Sequence, residues 1–142
     1  VLRCHYDHLS WGNFVPAILN YLLYLATAVA LVMAFFVIYT RMTPYDEVKL
    51  IRGGNHAAAL ALSGALIGFS LTICSAMLHT RDYYQFLVWA AGAMLVQVLV
   101  YYATTRLLNM ASEQIEADNS AFGGLLGAIA LSVGLVNAGA VS

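Results

Sequence analysis

Ser75, His79 and Asp82 have the residue types of a nucleophile, a base and an orienting acid. A hydrolase needs three such groups within reach of one another. Here they straddle the end of an apolar run and the polar turn after it, "SAMLHTRDYY", where such side chains ordinarily face water. The other polar candidates are scattered: His5, His8 and His56, with Cys4 and Cys74 far apart. No spacing matches a metal site, so no catalytic residue, metal or cofactor is expected and the chain reads as a non-enzyme. Cys74 lies inside an apolar run and reads as a small apolar side chain. Cys4 reads as water-facing, and spacing alone does not decide whether the two pair. Proton translocation uses ionisable groups inside the membrane, and no apolar run carries a carboxylate.

Gln97 sits near the centre of an apolar run. Its amide has four hydrogen-bonding sites to satisfy, so it either ties helices together or lines a wet path. Asn137 and Asn20 pose the same question nearer the ends of their runs. Ser63, Ser70, Thr72 and Ser75 can bond carbonyls of their own helix. Asn55 and Asn119 each open an apolar run and read as helix caps. An anion site formed by the two helix starts together is the sharper alternative.

These residues are carried on four long apolar segments: Pro16 to Thr40, Asn55 to Leu78, Phe86 to Leu108 and Asn119 to Val141. Each exceeds the roughly 20 residues that cross a bilayer. The chain is 62% hydrophobic and only 9% charged, too little charge to coat a soluble globule. The net charge of −1 excludes a nucleic-acid partner held by a basic patch. The opening "VLRCHYDHLSWGNF" lacks the basic-then-apolar order of a signal peptide. Residues 1–15 read as an aqueous or interfacial lead-in, with Trp11 and Phe14 as an anchor. The chain begins on Val1, as a processed or incomplete chain would. Arg41, Lys49, Arg52 and Arg106 lie on one side of the membrane and Arg3 and Arg81 on the other. That bias places the first-to-second and third-to-fourth connections in the cytoplasm and both termini outside.

"NHAAALALSGALIGFSL" from Asn55 is echoed by "NSAFGGLLGAIALSVGL" from Asn119, 64 residues on. Ile51 matches Ile115, and Thr40-Arg41 matches Thr105-Arg106 at an offset of 65. The chain therefore reads as one all-α transmembrane domain of two helix–loop–helix repeats, about 16–78 and 86–141. Each repeat crosses twice, so the two are parallel rather than inverted. The repeat matches Ala59, Ser63 and Ser70 to Gly123, Gly127 and Gly134, a small face on one side of a helix. Gly64 and Gly68 add a GxxxG. In lipid, close backbone approach drives helix association, so these are candidate packing residues.

"TRMTPYDEVKLIRGGN" reads as a short interfacial helix between the first two spans, with Thr43 as N-cap and Pro44 at its first position. Asp46 and Glu47 complement the helix dipole. Asp46, Glu47, Lys49 and Arg52 are candidates for docking a cytoplasmic protein.

The string "IYTRMTPYDEVKLIRGGNHAAALALSGALIG", with "LVQVLVYYATTRL" and the segment from Asn119, resembles the YjfL-like bacterial inner-membrane proteins, domain of unknown function 350. The pattern falls on Thr43, Pro44, Asp46, Glu47, Leu50, Ile51, Asn55, Ala57, Ala58, Gln97, Asn119 and Asn137. The resemblance implies a four-span inner-membrane protein and carries no reaction. The expected role is a structural or interaction subunit, embedded in membrane lipid, that forms a homo-oligomer or joins a larger complex through small-residue faces. The alternative is an oligomeric pore lined by Gln97 and small polar residues.

Overall fold

The computed structural model describes residues 11–108 and 110–141, with side chains from residue 15 on. Expectations for Arg3, Cys4, His5 and His8, and for the Trp11 and Phe14 side chains, lie outside the described residues. Every regular element among the described residues is a helix: α1 Trp11–Met42, α2 Glu47–Arg52, α3 His56–His79, α4 Tyr83–Leu107, α5 Ala111–Glu116 and α6 Ser120–Val141. Four of these, α1, α3, α4 and α6, are long and apolar enough to cross a membrane, as the four apolar runs predict. The first begins at Trp11 rather than Pro16, which stands inside it.

α3 and α6 form the centre of the bundle. A Cβ added at Gly123 would land on the Ala57 backbone, one at Gly64 on Gly127, and one at Gly134 on Gly68. Residue numbers rise together on both helices, so the pair is parallel. Lipid supplies little hydrophobic force between helices, so backbone-to-backbone packing of this kind has to hold them. Polar side chains lock the register: Thr72 donates to the Gly134 carbonyl at 2.9 Å and Ser75 to the Ala138 carbonyl at 2.6 Å.

α4 returns antiparallel to α3 through a tight turn. Asp82 accepts from the Gln85 N–H at 2.7 Å, and Gln85 accepts from the Arg81 N–H at 3.0 Å. The pair works like a capping box, with the return bond made to the residue before the cap. α1 lies along the flank, held by aromatic contacts. The Phe35 and Phe69 rings stack 4.7 Å apart, Tyr24 meets Phe86 at 5.2 Å and Tyr39 meets Tyr101 at 4.4 Å. The rest of α1 exposes large apolar side chains such as Leu19, Tyr21, Val29 and Met33.

Candidate functional site

The end of the bundle that carries α2 and α5 gathers most of the polar groups. Both connectors close in the same way. The Asn55 N–H bonds the Leu50 carbonyl at 3.0 Å, and 64 residues later the Asn119 N–H bonds Gln114 at 2.9 Å. The residue before each asparagine has a left-handed backbone, Gly54 at φ 88° and Asp118 at φ 55°. Glycine, and next asparagine and aspartate, tolerate that conformation. Each asparagine then caps its helix: Asn55 accepts from the Ala58 N–H at 2.7 Å and Asn119 from the Phe122 N–H at 3.3 Å.

The connectors are also tied to each other. The buried Asn55 amide donates to the Ile115 carbonyl at 2.7 Å. Asp118 accepts from the Ala57 N–H at 2.9 Å and lies 3.3 Å from His56 Nδ1. The Ala57 N–H holds the Asp118 carboxyl below its ordinary range. The capping reading of Asn55 holds, and the anion at the start of α3 is the chain's own Asp118.

Two expectations for the first connector are corrected. The cap of α2 is Asp46, which accepts from the Lys49 N–H at 3.0 Å. Thr43 instead donates to the Thr40 carbonyl at 3.0 Å and extends the end of α1. Aspartate outranks threonine as a cap, so the helix starts later than Pro44 suggests. Glu47 is not a docking surface: it is 1% exposed, while Asp46, Lys49 and Arg52 are open. α5 was not expected at all, because "ASEQIE" has no proline and no side-chain cap. The 64-residue offset carries α2 onto it residue for residue, and that was the available signal.

Glu47 is walled by Tyr39 of α1, Tyr45 before α2 and Tyr101 of α4. Both carboxylate oxygens and the Tyr45 and Tyr101 hydroxyls are buried without a hydrogen-bond partner. Burial pushes the Glu47 carboxyl from 4.5 up to about 8; the nearby Tyr39 and Tyr45 hydroxyls oppose the shift without reaching bonding geometry. Burial raises Tyr45 as well. A cavity of about 340 Å³ opens beside the cluster, lined by Tyr45, Tyr101, Thr105, Arg106 and Ser112 among others. A larger one, about 530 Å³, lies across Tyr45 against Lys49, Asn55, Glu116 and Asp118.

In the membrane interior Gln97 is 2% exposed. Its Nε2 donates to the Ala130 carbonyl at 3.0 Å and reaches Ala65 at 3.5 Å, so it joins α4 to both α6 and α3. Its Oε1 has no partner, nor has the buried Nδ2 of Asn137. Asn20 is exposed on α1. Of the Ser75, His79 and Asp82 group, Ser75 Oγ lies 3.3 Å from His79 Nδ1 but donates to the nearer Ala138 carbonyl at 2.6 Å, and Asp82 accepts from the Gln85 N–H as the cap of α4.

The packing face differs from the expected one. Gly123, Gly127 and Gly134 of α6 are buried against α3, and Gly64 and Gly68 of α3 are buried against α6. Their counterparts on α3 are not: Ser63 and Ser70 are exposed and Ala59 is half-buried. α3 uses a different side, the one carrying Ala57, Gly64 and Gly68. α6 therefore lays its front on the back of α3, so the matched faces do not meet.

A bundle of four apolar spans joined by two short helical connectors defines an integral membrane protein, and comparison with known proteins agrees. The family model described as Domain of Unknown Function (DUF350) matches residues 13–141, and the chain belongs to that family. It is 32% identical over 126 residues to UPF0719 inner membrane protein YjfL of Escherichia coli strain K12, covering 89% of this chain and 96% of that protein. The protein of the same name from Escherichia coli O157:H7 matches equally. No solved structure matches the chain.

Proposed function

We propose that the protein is a structural and interaction subunit of the bacterial inner membrane that assembles with further copies of itself through small-residue helix faces. The observation that carries this is the front-to-back seam. A heterologous contact leaves one copy of each participating face unused, and such contacts continue into rings or filaments. The unused counterpart of the α6 face is Ala59, Ser63 and Ser70 on α3. The unused counterpart of the α3 face is Ala121, Ala128 and Ser132 on α6, all exposed. Both are small enough for the close approach seen inside the protomer. The inner-membrane location is supported by the names of both relatives. The positive-charge bias supports a cytoplasmic α2–α5 end, where the exposed Lys49 and Arg52 are the docking candidates for a cytoplasmic partner.

The test is crosslinking in native membranes, in a chain whose own cysteines are replaced. By the internal pairing of Gly64 with Gly127, Ser63 of one copy should meet Ala128 of the next. Oxidation of a Ser63→Cys/Ala128→Cys double variant should yield a ladder of covalent oligomers, and neither single variant should. An unlinked double variant would sink the proposal.

A non-enzymatic role is supported by the committed bonds of Ser75 and Asp82. A pore remains a second reading in one form: Ser63 and Ser70, exposed on α3, would line it between copies. Gln97 is closed inside the protomer and would not.

A further inference from the structure

Four oxygens at the junction of α1, α2 and α4 are buried and unpartnered: both carboxylate oxygens of Glu47, the Tyr45 hydroxyl and the Tyr101 hydroxyl. A buried carboxylate requires a cation, donors or a proton. Among the described residues no cationic side chain is bonded to it: Arg41, Lys49 and Arg52 are exposed, and Arg106 is exposed with its guanidinium 5.2 Å from the Tyr102 ring centre. Among the described residues no group of three His, Cys, Asp or Glu could hold a metal ion. A proton meets the need with the fewest further parts. It removes the charge and converts one acceptor oxygen into a donor facing three phenols.

We propose that Glu47, enclosed by Tyr39, Tyr45 and Tyr101, is a proton-binding site whose ionisation loosens α2 from the bundle. α2 has six residues, held by the Asp46 cap at one end and the Gly53 and Gly54 turn at the other. It is the element that can give way when the buried carboxyl becomes a carboxylate. The cavity lined by Tyr45 and Tyr101 lies one side chain away from the carboxyl, so a small displacement of α2 or of either ring would open the site to water. The groups that face the site are Tyr39 from α1, Tyr45 from the preceding turn and Tyr101 from α4. Glu116 of α5 acts on Tyr45 from the far side. The first turn of α3 contributes His56, exposed and paired with Asp118. Among the described residues, ionisation at Glu47 thus meets no bonded positive charge. The site lies at the same end as Lys49 and Arg52, so proton binding would set how firmly that docking surface is held.

The experiment uses the full chain in lipid nanodiscs with carbon-13 at the glutamate carboxyls. Three resonances are expected, from Glu47, Glu113 and Glu116. One should titrate near pH 8, and that one should be missing in Glu47→Gln. Amide exchange across residues 47–52 is the second readout. It should accelerate through the same titration in the parent chain relative to Glu47→Gln, which mimics the protonated form. A Glu47 carboxyl that titrates in the ordinary range near 4.5 would overturn the proposal. So would equal α2 exchange in both proteins, or a midpoint that moves with sodium or potassium concentration, which would make the occupant a metal cation. The titration of the parent chain decides the matter even where the variant does not fold.

Discussion

Where α3 meets α6, backbone touches backbone, and Thr72 and Ser75 are bonded across the seam. Where α1, α2 and α4 meet, aromatic rings stand between the helices, and four buried oxygens have no partner. In the seam the glycines leave nothing that can move without separating the helices. In the junction Glu47 carries an unmet electrostatic demand that a small displacement of α2 relieves. A membrane bundle without hydrophobic drive between helices needs the first kind of contact to exist. It can tolerate the second only where a short element at the interface can yield. Rigidity and chemistry are thus assigned to different contacts within one small chain.

The contrast predicts its largest effect at Gly127. A Cβ there would collide with the Leu60 backbone, which cannot swing aside as a side chain can. Gly127→Leu should cost more than the roughly 1–3 kcal/mol of ordinary overpacking and should prevent the native bundle from forming. Gly92→Leu is the control, since a Cβ at Gly92 meets nothing within 4 Å. Thermal melts in detergent should separate them widely; equal melts would mean the seam does not hold the fold.

The junction predicts a pH dependence that the seam lacks. Glu47 has a folded-state pKa raised from 4.5 to about 8. The folded state therefore holds a proton that the unfolded state has released across that window. The group's contribution to stability is full below pH 4.5 and lost as pH rises towards 8. Within the window the loss is about 1.4 kcal/mol per pH unit at most. Glu47→Gln should flatten that slope in melts taken between the two limits, while a Gly92 variant should keep it. A parent chain whose stability is level across the window would remove the distinction between the two contacts.

How much of this the sequence shows depends on the scale of the signal. The four spans are visible because bilayer thickness demands long apolar runs, and the asparagine caps because their chemistry is local. The seam is only half visible. Spacing picks Gly64, Gly68, Gly123, Gly127 and Gly134 as small, but it cannot say which side of α3 faces α6. Ser63 and Ser70 match Gly127 and Gly134 in sequence yet stand exposed on the side of α3 away from α6, so the match alone does not place them in the seam within the protomer. Glu47 is the largest miss. A carboxylate in the first turn of a short helix reads as a dipole partner in water, and its burial depends on tyrosines at positions 39, 45 and 101 that only the fold brings together.

The smallest effect is expected at Gln97, which lies between the two kinds of contact. Its Nε2 bonds α6 and reaches α3, as a seam residue would, yet its Oε1 is buried without a partner, as at the junction. Leucine is close in size and would forfeit the donated bonds. Hydrogen bonds between membrane helices average about 0.6 kcal/mol. The carbonyls it serves belong to helical residues, and removal of the orphan oxygen offsets part of the loss. Gln97→Leu should therefore change stability by about 1 kcal/mol or less and leave the assembly intact. The measurement is a melt of the variant beside the parent, with ion flux into reconstituted vesicles as a second channel. A large loss of stability would mean that Oε1 is bonded by water in the membrane. Flux present in the parent and abolished in an intact variant would place Gln97 on a conducting path and not among the ties that close the bundle.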